Sequence, residues 1–171
     1  PFGEYVPDRA FFERIVPDLI GLIGREYTPG ADAPLVDVGG TLVGLAICFD
    51  VIYDDVIREG ARDGAQVYMF QTNNADFRGT DENLQQLAFA RMRAIETGRS
   101  VVNLSTVGTS QVIAPDGTTV SSLGIDQAGV LIGDVELRDG PKPGVVGGAA
   151  IQLVLLWGAA AGLAAVGLVH L

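Results

Sequence analysis

The 171-residue sequence contains one cysteine, one histidine and one lysine. A lone cysteine excludes an intrachain disulfide framework and any cysteine-cluster zinc site. Basic residues are scarce: Lys plus Arg is 11 against 21 for Asp plus Glu, a formal net charge of −10. Nucleic acid is therefore not an expected partner, because neutralising phosphates requires a basic face. With 48% hydrophobic and 19% charged residues, bulk disorder is excluded as well. The glycines, 23 of them, follow no G-X-Y period, which excludes collagen. Charge itself is missing from one part of the chain, since no Asp, Glu, Lys or Arg follows Lys142. What is present is an acidic part long enough for one domain with a sizeable core, followed by an apolar tail.

The chain starts at Pro1 rather than at a methionine, and no signal-peptide pattern follows. It is expected to be a piece of a longer protein. In the tail, Val145 to Val169 carries a single polar side chain, Gln152, apart from the indole N–H of Trp157. A bilayer core needs about 20 apolar residues as a helix, and a soluble core helix is rarely apolar all round over such a length. Residues 145–169 are therefore expected to form a transmembrane helix, with Gly158 and Gly162 as a weak G-x-x-x-G packing step.

Residues 1–142 read as a globular α/β domain. Asp8 to Gly24 has apolar residues at helical spacing, broken or kinked at Pro17. Ala31 to Gly40, rich in Pro, Gly and Asp, reads as a loop. Thr41–Cys48, Val67–Thr72 and Val101–Ser105 are apolar runs suited to buried strands. Asp54 and Asp55 open a short helix that closes at Gly64, and Asp81 is the expected cap of a helix closed by Gly98. The inward face of that second helix is predicted to be Leu84, Leu87, Ala88, Met92 and Ile95. Pro115-Asp116-Gly117 marks a hairpin between Thr109–Ala114 and Thr118–Ser122, and Val130 to Val135 supplies a last strand.

The chemistry points to Cys48-Phe49-Asp50, between a buried strand and a helix. A sharp strand-to-helix turn lifts a side chain out of the sheet and aims helix N–H groups at it, which favours a thiolate nucleophile. An inert buried cysteine is the competing reading. A Cys–His dyad is improbable, because the only histidine, His170, ends the apolar run. Glu4 and Asp50 are the candidate carboxylates, and Lys142, beside that run, is hardly available as a partner.

Four segments then follow in order: Pro1-Phe2-Gly3-Glu4-Tyr5-Val6-Pro7, Gly44-Leu45-Ala46-Ile47-Cys48-Phe49-Asp50, Asn73-Asn74-Ala75-Asp76-Phe77, and Gln86 to Arg99 (Q-L-A-F-A-R-M-R-A-I-E-T-G-R). Together they resemble the apolipoprotein N-acyltransferases, a membrane-embedded branch of the nitrilase (carbon–nitrogen hydrolase) superfamily. The resemblance covers nearly the whole chain. It implies part of a nitrilase αββα sandwich followed by one transmembrane helix, at the bacterial cytoplasmic membrane with the catalytic domain on the extracytoplasmic face. It implies a Glu–Lys–Cys triad in which Cys48 is the nucleophile, with Glu4 as an additional catalytic glutamate. Phe49 and Asp50 fall at site-supporting positions where relatives often carry Tyr and Glu. The triad lysine and base glutamate are expected upstream of Pro1. The implied partners are a phospholipid acyl donor and a diacylglyceryl apolipoprotein acceptor, with no metal or organic cofactor. Some relatives work beside a polyprenol-phosphate mannose synthase, which makes that enzyme a candidate partner. Two other readings stay open: a nitrilase-type amidase acting on a small amide, and a membrane-tethered interaction domain without catalysis.

Overall fold

The computed structural model of the chain describes residues 5–24, 26–28, 30–140 and 142–169. It falls into two compact units, Pro1–Asp32 and Ala33–Leu171. In the first, Pro17 divides the expected helix into α1 (Arg9–Ile15) and α2 (Pro17–Gly21), with proline at a helix N-terminus, where its missing N–H costs nothing. Arg9 ties this unit together by donating to Glu13, to Glu26 and to the Ile23 carbonyl.

In the second unit six strands form one mixed sheet in the order β1-β2-β3-β4-β5-β6: β1 (Leu35–Val38), β2 (Thr41–Ile47), β3 (Val67–Thr72), β4 (Val101–Ser105), β5 (Ser110–Ile113) and β6 (Thr119–Leu123). Strands β2, β3 and β4 run parallel, and the outer pairings are antiparallel. The two parallel crossovers are α3 (Asp54–Arg62) and α4 (Glu82–Thr97). Their buried residues Ile57, Ala61, Leu87, Ala90 and Ala94 pack with Ala46, Tyr68, Phe70, Val101 and Ile113 of the sheet into one core. Gly44 is required there by close approach, since a Cβ on it would run into the ring of Tyr68. The Tyr68 hydroxyl donates to the Ile57 carbonyl, and burial pushes that phenol's pKa upward.

Four expectations are corrected. Ala31–Gly40 is not all loop: Leu35–Val38 pairs with β2 through a Gly39-Gly40 turn, both glycines at positive φ, with the Gly40 N–H donating to Asp37. Val130–Val135 forms no strand. Val130 and Ile132 are 81% and 89% exposed, and the segment's ties to the sheet come later, from Ser100 to the Glu136 carbonyl and from the Arg138 N–H to Gln66. The inward face of α4 is Asn83, Leu87, Ala90, Arg93, Ala94 and Thr97, whereas Leu84, Ala88, Met92 and Ile95 are exposed. Asp81 makes no side-chain cap; Thr80 Oγ1 accepts from the Glu82 N–H instead.

The tail is a single helix, α5 (Pro143–Val169). Pro143–Gly167 is long and apolar enough to cross a membrane by length and composition. Its start is docked on the domain, with Val145 in the core cluster, and from Leu153 to Gly167 every residue is exposed. The contacts fix its direction. Arg62 donates to the Val145 carbonyl at 3.2 Å, Gly148 lies against the Arg58 guanidinium, and Gln152 reaches Asp54 at 2.8 Å. Moving forward along α5 thus means moving backward along α3, so α5 leaves the domain past the N-terminus of α3.

Candidate active site

Strands β2, β3 and β4 are parallel, so their C-terminal ends share one sheet edge, the usual place for a site in an open α/β sheet. Cys48 follows the last residue of β2 at that edge and opens a 3-10 turn, Cys48–Ile52. Its φ is +51°, a left-handed value that an L side chain rarely adopts. Strain of this kind persists only where the surroundings enforce it. They do so through three side chains, Asp50, Gln86 and Arg93. The Ile47 N–H donates to Asp50 Oδ2 at 3.1 Å. The Gln86 side-chain amide donates to the Cys48 carbonyl and to Thr72 Oγ1, each at 2.7 Å. Arg93 donates through Nε to the Val51 carbonyl and through Nη2 to the Ile52 carbonyl, each at 2.8 Å. Cys48 itself is half-buried, reachable at the edge rather than sealed in the core.

The loops after β3 and β4 reach the same edge and are tied to each other. Asn74 Nδ2 and the Gly108 N–H both donate to Ser105 Oγ at 2.9 Å, and Thr106 Oγ1 donates to Asn73 Oδ1 at 2.8 Å. Behind the turn lies a charged network. Arg58 pairs with Asp54 at 3.1 Å and Glu96 at 2.9 Å, and Arg93 pairs with Asp54 at 2.7 Å and with Glu96. Burial acts to raise the Asp54 pKa. Hydrogen bonds from Gln152 and Arg93, with the charges of Arg93 and Arg58, outweigh it and hold the carboxyl below its ordinary value.

The structure brings Cys48, Phe49 and Asp50 into one turn. Asp50 accepts from the backbone of that turn, and the Phe49 ring, half exposed, makes an edge contact with Tyr53. Glu4 lies outside the described residues. Among the described residues no cluster of three or more His, Cys, Asp or Glu is disposed to hold a metal. Sequence reasoning missed Gln86 and Arg93 as supports of the turn. Their seven-residue separation places them on one helix face with the buried Ala90, and that periodicity was the available signal.

The pattern of the carbon–nitrogen hydrolase family matches residues 4–140. The apolipoprotein N-acyltransferase of Mycolicibacterium smegmatis is 38% identical over 160 residues, 91% of this chain and 26% of that protein. The protein of the same name from Geobacter metallireducens is 31% identical over 140 residues, 82% of this chain and 26% of its own length. The chain thus spans about a quarter of the length of these relatives. The amidase of Nesterenkonia sp. AN1 shares the fold, with a TM-score of 0.52 and 23% identity over 77% of this chain and 50% of that one.

Proposed function

The chain belongs to the carbon–nitrogen hydrolase family, and from that premise we propose that it is the nucleophile-bearing part of an apolipoprotein N-acyltransferase. The similarity to proteins of that name over most of the chain supports this reading. The observation that carries it is geometric: the apolar helix α5 leaves the domain on the edge that holds the strained Cys48 turn. Residues Leu153 to Val169 reach about 25 Å beyond that point at 1.5 Å per residue, close to the thickness of a hydrocarbon core. An enzyme so anchored presents its thiol to a lipid surface. An amidase for a small soluble amide has no use for that arrangement.

In the proposed reaction the Cys48 thiolate attacks the sn-1 ester carbonyl of a phospholipid. The C–O bond breaks, the departing alkoxide takes a proton, and a lysophospholipid leaves an acyl thioester on Cys48. The α-amine of a diacylglyceryl-cysteine then attacks the thioester, loses a proton and becomes an amide, and the thiolate is regenerated. A soft thiolate suits both halves, since the thioester it forms is readily opened by an amine. The carboxylate base and lysine expected upstream of Pro1 would serve both proton transfers and the tetrahedral oxyanion. Glu4 assists as an additional carboxylate, and the Phe49 side chain borders the acyl path. The domain stands on the extracytoplasmic face of the cytoplasmic membrane. The test is acyl transfer from phospholipid to a diacylglyceryl lipopeptide by the full-length protein in vesicles. Cys48→Ala abolishes it on this reading, whereas retained transfer removes Cys48 from the role.

A further inference from the structure

Gln152 is the one polar side chain of α5 besides the indole N–H of Trp157. A side-chain amide on a helix bound for hydrocarbon is costly unless partnered. Both ends of this amide are engaged: Nε2 donates to Asp54 Oδ2 at 2.8 Å, and Oε1 accepts from Arg58 Nη1 at 3.4 Å. Those partners belong to the Asp54–Arg58–Arg93–Glu96 network, and Arg93 in turn holds the carbonyls of Val51 and Ile52, the last two residues of the Cys48 turn. An unbroken series of hydrogen bonds and ion pairs therefore runs from α5 to the backbone of the nucleophile's turn.

The helix is shaped for this seat. Gly144, Gly148 and Gln152 recur every four residues, on one helix face. A Cβ on Gly144 would stand 2.8 Å from the Glu96 carbonyl oxygen, and one on Gly148 would stand 2.8 Å from Arg58 Nη2. A larger side chain at Gly144 meets the α4 backbone and pushes α5 away, and one at Gly148 displaces the Arg58 guanidinium.

We propose that Gln152 is a positioning residue that, seated through Gly144 and Gly148, fixes the height of the Cys48 turn relative to the membrane. The inference rests on the reading above that α5 spans a bilayer. It adds that the depth of the thiol is set by this contact rather than by the length of the apolar run alone.

The test uses full-length protein in vesicles of phosphatidylethanolamine and phosphatidylglycerol. Cys48 is labelled in parallel with a lipid-tethered maleimide and a water-soluble maleimide, and the label is mapped to the Cys48 peptide by mass spectrometry. Both probes report the same thiol, so its intrinsic reactivity cancels in their ratio. Gln152→Leu keeps the helix apolar and removes both hydrogen bonds. Gln152→Glu keeps an acceptor for Arg58 but turns a carboxylate toward Asp54. The ratio of lipid-tethered to soluble labelling is expected to fall by about threefold or more in Gln152→Leu and by less in Gln152→Glu, because shifts near 1 Å already matter at a reacting centre. An unchanged ratio in both variants overturns the proposal. Failure of the functional reading shows separately, as a wild-type protein that takes no acyl group from phospholipid.

Discussion

Cys48 sits at φ +51°, where an L side chain is disfavoured by about 1–2 kcal/mol, and Asp50, Gln86 and Arg93 hold it there. Relief of that strain is measurable. Cys48→Gly in the full-length protein is expected to raise stability by about 1 kcal/mol while ending thioester formation. A lower melting temperature for the glycine variant would show that the turn is not strained at this residue. Gly44 makes the opposite case. A methyl group added there meets the Tyr68 ring, whose hydroxyl is already committed to the Ile57 carbonyl. Gly44→Ala is expected to cost about 1–3 kcal/mol by overpacking, read as a lowered melting temperature. An unchanged value would mean that the ring moves aside freely. The place of Cys48 just after a strand was legible, because the apolar run Thr41–Cys48 stops at a polar turn. Its supports were not legible. Gln86, half-buried, and Arg93, on the inward face, are polar residues of one helix, and binary patterning assigns such residues to solvent.

At the scale of elements, the parallel strands were readable as continuous apolar runs because both of their faces carry side chains that pack. Strand β1 was not, since its four residues lie at a sheet edge between Pro34 and Gly39-Gly40, and a short edge strand has little apolar pattern to show. Val130–Val135 shows the converse: its apolar residues suit a strand, but a strand exists only where a neighbour offers a ladder. The apolar stripe of α4 shares only Leu87 with the buried face, and Leu84, Ala88, Met92 and Ile95 stay exposed. Small Ala90 and Ala94 face the sheet, and they let the helix come close. The charged network between α3, α4 and α5 has a pH signature. The Asp54 carboxyl is held below its ordinary value of 3.8. A group depressed in the folded state contributes stability that is fully present above its unfolded pKa and is lost as pH falls through the folded one. Melting temperature is therefore expected to be insensitive to this group between neutral pH and about pH 5 and to fall below pH 4. The fall should be shallower in Asp54→Asn. Equal acid limbs for the two proteins would remove Asp54 from that role.

For the whole molecule, the division into a charged part and an uncharged tail was visible in the sequence, since no charged residue follows Lys142. What could not be read was that the tail starts inside the domain's core at Val145 and leaves past the N-terminus of α3, because both facts depend on packing against α3. If α5 spans a bilayer, Leu156→Arg should oppose insertion by about 3 kcal/mol and increase the fraction released by alkaline carbonate from membranes. Release equal to wild type would argue against a spanning helix. The proposed reaction requires an acyl group resting on one sulfur. Full-length protein incubated with phospholipid vesicles, without acceptor, and then digested and mapped by mass spectrometry should carry a hydroxylamine-labile fatty acyl group on the Cys48 peptide. An acyl group mapped elsewhere, or acyl transfer to acceptor with Cys48 never modified, would contradict it.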